Sequence, residues 1–404
     1  MRLAGIWLLL LGVYAATLTI PATAEDRYAG DEPHHLLAAK SWVEDGDLEL
    51  SNQYAERQWS EFVERELEPS GKLVGGRLHE PQGIGMALVV ALPYRVAGPR
   101  GAELAIAAIL ALGFVLAAAL ARRLVPEPWA STGALLAGLS PPALAAATTV
   151  SPEPVAATLL AGAALCALKV RERARLRYAY GAAAMLALLP WLDAPLIVVG
   201  LPVAFSLIRW TLAERRRLVA LIAGEVVLGS IIFFARFNET FFGGPLPAAA
   251  RVGADDPDVA GTYSDRLVNL LGVWVDPQAG LLRWAPVLAL AFVGAWLLWR
   301  SRREHVAAVV PERRESERTA ELLLAFAGAQ WIMAALGNES PAGPWFPGLP
   351  MMAAVPALAA LAAWGLRHAR VAGVVLGAAT LALSAWALGD AWLGPAEGWL
   401  GVAG

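Results

Sequence analysis

Apolar runs of about twenty residues recur along this chain, and each is long enough to cross roughly 30 Å of hydrocarbon as a helix. Inside lipid, every backbone N–H and C=O has to be paired, which a helix does within its own segment. Of the 404 residues, 57% are hydrophobic and 17% charged, against about a quarter charged in ordinary soluble domains. The reading is an all-α polytopic membrane protein. No soluble basic domain is present, so nucleic acid is not a partner. The single Cys166 lies inside an apolar run and excludes a disulfide framework or a cysteine metal site.

Setting apolar runs against breakers gives eleven spans, at about 4–23, 101–121, 129–149, 154–169, 178–191, 194–210, 217–235, 281–299, 320–337, 346–364 and 371–390. Basic clusters follow alternate spans. They are Arg122-Arg123, "KVRERARLR" (169–177), Arg209 with "ERRR" (214–217), "RSRRE" through "ERRESER" (300–318) and "RHAR" (367–370). With Arg2 they hold 20 of the 32 Lys and Arg residues. Cytoplasmic loops carry such an excess, so the N-terminus is expected inside and the C-terminus outside. Residues 1–23 read as the first helix, with small residues at Ala22 and Ala24 that also suit a cleavable signal peptide. Residues 24–100 become a long outer loop, 101–235 hold spans two to seven, and 236–280 form a second outer loop. Residues 281–390 carry the last four spans and 391–404 an outer tail. Within the first loop, residues 79–98 are interrupted by Pro81, Gly83, Gly85, Pro93 and Arg95, and are expected to lie at the interface rather than cross.

The acids gather at outer helix ends. From Glu25 to Glu80 there are 14 acidic and 6 basic residues. Asp31-Glu32-Pro33 opens "HHLLAAKSWVEDGDLEL", which looks like an acidic turn on an amphipathic helix whose Leu36, Leu37, Ala39 and Val43 suit a bilayer surface. Capping needs one acid, and two adjacent carboxylates exceed that need. Glu153 follows Ser151-Pro152, where it suits either a helix start or a site, and Asp193 suits a cap between two spans. Asp31, Glu32, His35 and His79, or His34 in place of His35, offer an N/O donor set for a divalent metal, although the spacing matches no zinc signature. His305 and His368 fall on cytoplasmic, solvated faces.

The opening "GDEPHHLLAAKSWVEDGDLELSNQY" resembles that of GT-C-fold membrane glycosyltransferases, in particular protein mannosyltransferase and lipid A aminoarabinose transferase-like enzymes. Further segments resemble theirs in order: "HEPQGIGMALVVALPYRVAG", "SPEP", "LPWLDAPLIVVGLP", "NETFFGGPLP", "DPQAGLLRWAPVLAL" and "GNESPAGPWFPGLP". The resemblance covers about residues 1–364. Three departures stand out: Pro344 in place of an arginine, Asp193 in place of a histidine, and Gln82-Gly83 in place of a proline-glycine step.

The resemblance implies a GT-C-like bundle with interfacial helices in the first outer loop. It also implies transfer of a sugar from a polyprenyl-phosphate donor to a lipid, glycan or protein acceptor on the extracytoplasmic face of the cell membrane. Asp31 is then the general base, with Glu32 and Glu153 beside it. His34, His79, Lys72, Arg77, Arg251, Arg266 and Arg283 are the candidates for holding substrate, the cations among them, with Arg236, facing the leaving phosphate. A lipid-linked sugar flippase, or an inactive GT-C-like scaffold, is the alternative. A flippase calls for ionisable or broken helices at mid-membrane, whereas most spans carry no ionisable residue near their centre, Glu225 being an exception.

Overall fold

A computed structural model describes residues 2–173, 175–252, 263–303, 311–337, 346–393 and 398–403. The chain is a multi-pass helical membrane protein. Among the described residues, seven helices are long and apolar enough to cross a membrane; the other expected spans are shorter or broken.

The first helix, α1 (Leu3–Thr17), ends well before residue 23. The expected outer loop then folds as α2 (Glu32–Glu44), α3 (Ser51–Ala55) and a small hairpin, β1 (Leu73–Val74) with β2 (Arg77–Leu78). Gly75 and Gly76 make its turn in the left-handed region. Leu36, Leu37 and Ala39 of α2 are fully buried against protein, chiefly α4, so they do not lie on the bilayer as expected. Their side chains fill the bundle's own interior, and only Trp42 and Val43 remain at its outer side.

Next comes α4 (Gly85–Ala121), with Pro93 and Pro99 inside it. It is two helices: Ala97 leaves the helical region and Gly98 sits at φ 61°, ψ −151°, a conformation open to glycine alone. Pro99 then restarts the helix, its fixed φ suiting the first turn. The first part, 85–96, is about 18 Å long at 1.5 Å per residue, too short to cross. A Cβ at Gly85 would overlap the Trp191 carbonyl, so this start of α4 is pressed directly on the end of α8.

The expected span 129–149 is α5 (Trp129–Gly138) and α6 (Pro141–Ala146). Ser140 is extended and Pro141 has no N–H to continue α5, which is why the run breaks. Five helices follow: α7 (Pro152–Arg173), α8 (Leu176–Leu192), α9 (Leu196–Ala213), α10 (Arg217–Phe242) and α11 (Tyr263–Val275). That last helix was not anticipated. It lies within the stretch expected as the second outer loop and packs on α14, where Trp331 Nε1 donates to the Leu270 carbonyl at 2.7 Å. The span expected at 281–299 is α12 (Leu281–Trp284), a short 3-10 turn from Pro286, and α13 (Leu290–Arg303). The bundle closes with α14 (Pro311–Gly337), α15 (Val355–His368), α16 (Arg370–Leu393) and α17 (Trp399–Ala403).

The centre of the bundle is α15, packed against α13, α5 and α4. Small residues permit the approach: a Cβ at Gly294 would overlap the Leu361 carbonyl, and one at Gly365 the Leu290 carbonyl. By contrast α10 and α16 are largely uncovered, with Leu218, Leu228, Phe233, Val371 and Val374 more than half exposed. These are lipid-facing helices. The last helix returns to the first loop, Trp399 N–H and Leu400 N–H donating to the Pro21 and Ala22 carbonyls at 3.0 and 2.8 Å.

Candidate active site

Asp31 stands at the N-cap position of α2 yet makes no side-chain cap. Pro33 occupies the first turn, where a capped helix would present an N–H. Its carboxylate turns instead to Gln82, whose Nε2–H donates to Asp31 Oδ1 at 3.0 Å. Asp31 is half-buried.

Glu32 does a different job. Its Oε1 accepts from Ala29 N–H at 3.2 Å and its Oε2 from Val150 N–H at 2.7 Å. One side chain thus fastens the first outer loop to the turn before α7. Burial pushes its carboxyl up to about 8, with the two amide bonds pulling the other way. A carboxyl that keeps its proton at neutral pH, with both oxygens engaged, is a poor base.

Glu153, in the first turn of α7, keeps Oε2 buried with no partner among the described residues. Asp193, between α8 and α9, has extended backbone. Protein crowding pushes its carboxyl upward and Arg251 pulls it down. Its side chain keeps an open surface, so water offsets part of that push. The charge of Asp31 bears on Glu153, on Asp193 and on His35. Three carboxyls from α2, α7 and the α8–α9 turn therefore lie within electrostatic reach of one another.

The histidines are placed by a polar core under the loop. His34 Nδ1 lies 2.9 Å from Tyr54 Oη and 3.3 Å from Glu80 Oε1, and Tyr54 also donates to Glu80. Ser70 N–H adds a further bond to Glu80 at 3.2 Å. His79 Nδ1 donates to the Leu48 carbonyl at 2.8 Å, with its ring edge-on to Phe241 and Phe242. His35 is buried, which pushes its imidazole down to about 4 and leaves it neutral.

The expected metal set of Asp31, Glu32, His35 and His79 is not assembled. Glu32 spends both oxygens on amides and His79 spends Nδ1 on a carbonyl. Among the described residues no three His, Cys, Asp or Glu side chains are disposed to hold a metal.

Backbone bonds join the segments that carry three of the expected cations. Lys72 N–H donates to the Ala250 carbonyl at 2.7 Å, Gly71 bridges to Arg251, and Val252 N–H bonds the Ser70 carbonyl at 2.9 Å. This stitches the hairpin carrying Arg77 to the segment carrying Arg251, and Arg251 acts on Asp193. Arg266 is engaged elsewhere, donating to the Leu336 carbonyl at the end of α14 at 2.8 Å. Arg283 lies over the Trp284 ring, 5.3 Å from its centroid. Arg236 pairs with Glu239 at 2.7 Å. Pro344 lies outside the described residues.

Two cavities lie among these segments. One is lined by His35, Leu48, His79, Gln82, Ile84 and Phe242 among others. The other is lined by Glu32 with Arg27, Glu103, Thr148, Phe346 and Trp399 among others. Glu103 was not singled out from the sequence. It sits buried in α4 and binds Arg27 at 2.9 and 3.0 Å, Tyr28 at 2.5 Å and Arg100 at 3.2 Å. Gln82 was read only as a departure from a motif.

No protein-family model matches the sequence, and no curated protein resembles it in sequence. The fold does have solved counterparts. ArnT from Cupriavidus metallidurans bound to undecaprenyl phosphate superposes with a TM-score of 0.53 at 15% identity, over 90% of this chain and 60% of that one. The same protein in the apo state gives 0.52, also at 15% identity, over 90% and 59%. An oligosaccharyltransferase, AglB from Archaeoglobus fulgidus in complex with an inhibitory peptide and a dolichol-phosphate, gives 0.46 at 12%, over 99% and 55%. The chain thus spans about 60% of the length of the ArnT structures it matches.

Proposed function

From the GT-C fold of membrane glycosyltransferases that this chain carries, we propose that it moves a sugar from a polyprenyl-phosphate donor to an acceptor hydroxyl on the extracytoplasmic face. The observation that supports the reading is that Asp31 neither caps its helix nor is locked by backbone amides, while its charge reaches Glu153 and Asp193. Asp31 takes the proton from the acceptor hydroxyl. The hydroxyl oxygen then bonds to the anomeric carbon as the bond from that carbon to the phosphate oxygen breaks. A base in reach of its proton is worth typically about 10²–10⁴-fold.

Charge develops on the departing phosphate, and fixed cations facing it stabilise that state more than the ground state. Lys72, Arg77 and Arg251, on segments joined by backbone bonds, are suited to this part. Glu32 holds the loop that carries Asp31, and Glu153 and Asp193 line the recess.

The test is transfer by purified protein, in nanodiscs, from polyprenyl-phosphate mannose, glucose or arabinose carrying labelled sugar. Asp31→Asn keeps size and removes the base, so transfer should fall by about 10²-fold or more with folding intact. Normal transfer by Asp31→Asn would place the base elsewhere.

A further inference from the structure

Two charged side chains stand on a flank of the bundle that is otherwise apolar. Helices α9 and α10 pack side by side there, joined by the turn at 214–216. On α9 the exposed Val198, Leu201, Phe205, Arg209 and Leu212 share one face at 3.6 residues per turn. On α10 the exposed Leu218, Leu221, Glu225, Gly229 and Ile232 do the same. Arg209 and Glu225 lie at similar depth, because a Cβ at Gly224 would touch Ile208 at 3.7 Å. Glu225 is eight residues past Arg217, about 12 Å along α10, inside the apolar run. Neither Arg209 nor Glu225 makes a hydrogen bond or an ion pair among the described residues. Charges within spans ordinarily face the bundle interior or pair with one another. The other uncovered helix, α16, keeps to that rule. Val371, Val374, Val375, Leu381 and Trp386 form its exposed surface, and its charges, Arg370 and Asp390, stand near its two ends. Lipid alone suits α16; it does not suit the flank of α9 and α10.

We propose that this flank binds a second copy of the chain, through ion pairs between Arg209 of each copy and Glu225 of the other. Two copies inserted in one membrane have the same orientation, so a two-fold axis along the membrane normal brings equal depths together. Under that axis α9 of one copy faces α10 of the other. A patch holding one cation and one anion is then complementary to itself, and the pair is made twice. Gly229, one turn beyond Glu225, permits a close approach, since a Cβ built there meets nothing within 4 Å. Docking removes both charges from the hydrocarbon at once and sets Phe205, Leu221 and Ile232 against matching apolar surface. An ion pair made within one copy would leave both side chains facing lipid. Arg215 and Arg217 lie at the turn between the helices, in the headgroup layer, where salt screens their mutual repulsion across the axis. The contact is separate from Asp31 and does not depend on sugar transfer.

The experiment counts copies of the full chain by single-molecule photobleaching in phosphatidylethanolamine–phosphatidylglycerol vesicles at increasing dilution. The dye sits on an added C-terminal cysteine in the Cys166→Ser background. The unsubstituted flank should bleach mainly in two steps. Arg209→Glu, Glu225→Arg and the isosteric Glu225→Gln should each raise the dissociation constant by about tenfold or more. A mixture of Arg209→Glu copies with Glu225→Arg copies restores both pairs across the axis, with one of them reversed in sign. Two-colour coincidence in that mixture should return to the level of the unsubstituted flank, while each variant alone stays monomeric. Thermal unfolding in detergent reports whether each variant is folded, and Glu225→Gln carries the comparison if a charge reversal unfolds the chain. Single-step bleaching of the unsubstituted flank at every dilution overturns the proposal. Unchanged association in all three variants overturns it too, and would place the interface on another face. So does a mixture that fails to recover although both of its members melt as the parent does, because reciprocal pairing across the axis requires that recovery.

Discussion

Replacing Glu32 tests the division of labour between the two adjacent acids. In Glu32→Ala the N–H groups of Ala29 and Val150 both lose their acceptor in a buried place. Each unpaired buried amide costs about 1–3 kcal/mol, so the loss should be about 2–6 kcal/mol. Glu32→Gln keeps one acceptor oxygen and should cost about half of that. A pH dependence follows as well. The folded carboxyl holds its proton up to about 8, whereas an unfolded one releases it near 4.5. Between those values the folded state binds more protons, so this group's contribution to stability falls as pH rises, by at most about 1.4 kcal/mol per pH unit. The wild-type protein in detergent should therefore melt lower at pH 8.5 than at pH 6, and Glu32→Gln should flatten that difference. Hydrogen exchange in peptides 29–36 and 147–153 reports the fastening directly, and both should exchange faster in Glu32→Ala. Parallel pH curves for wild type and Glu32→Gln, with unchanged exchange in both peptides, would refute the account of Glu32 as a buried fastener.

Two further outcomes are expected. Glu103→Gln removes the charge that Arg27 and Arg100 share at 1% exposure of the carboxylate side chain, and should lower stability by about 2–3 kcal/mol, read as thermal unfolding in detergent. The partly exposed arginines keep the cost at the low end. For topology, single cysteines at positions 60 and 310 in a Cys166→Ser background should differ in intact cells. Position 60 should react with a membrane-impermeant maleimide and position 310 should not, and the reverse pattern would invert the basic-loop assignment.

The sequence made the helices legible because apolar length is a strong signal in a membrane protein. It was weaker on where they break. Pro141 and Pro286 sit in runs whose apolar content is continuous, and hydropathy does not register a missing N–H. Helix α11 was hidden for a related reason: its apolar residues are spread around one face and summed poorly over a span-length window, although Leu267, Val268, Leu271 and Val275 form an exposed stripe. The burial of Leu36 and Leu37 was out of reach too, since an amphipathic face looks the same whether lipid or protein covers it.

The site was legible in kind more than in role. Two adjacent acids before a proline stand out in any reading, yet which one is free to act depends on Val150, more than a hundred residues away. Composition cannot show that Glu32 is bound by a distant amide and that Asp31 is not. Glu103 escaped because an acid at the end of an apolar run reads as the edge of a span, while three partners fold over it from the first loop and its own helix. Gln82 is the most instructive of these. Against the GT-C pattern it is a mismatch, and in the fold that mismatch touches Asp31 itself. A side chain that departs from a shared motif and still bonds the proposed base is placed to change what the base is offered, without changing the base.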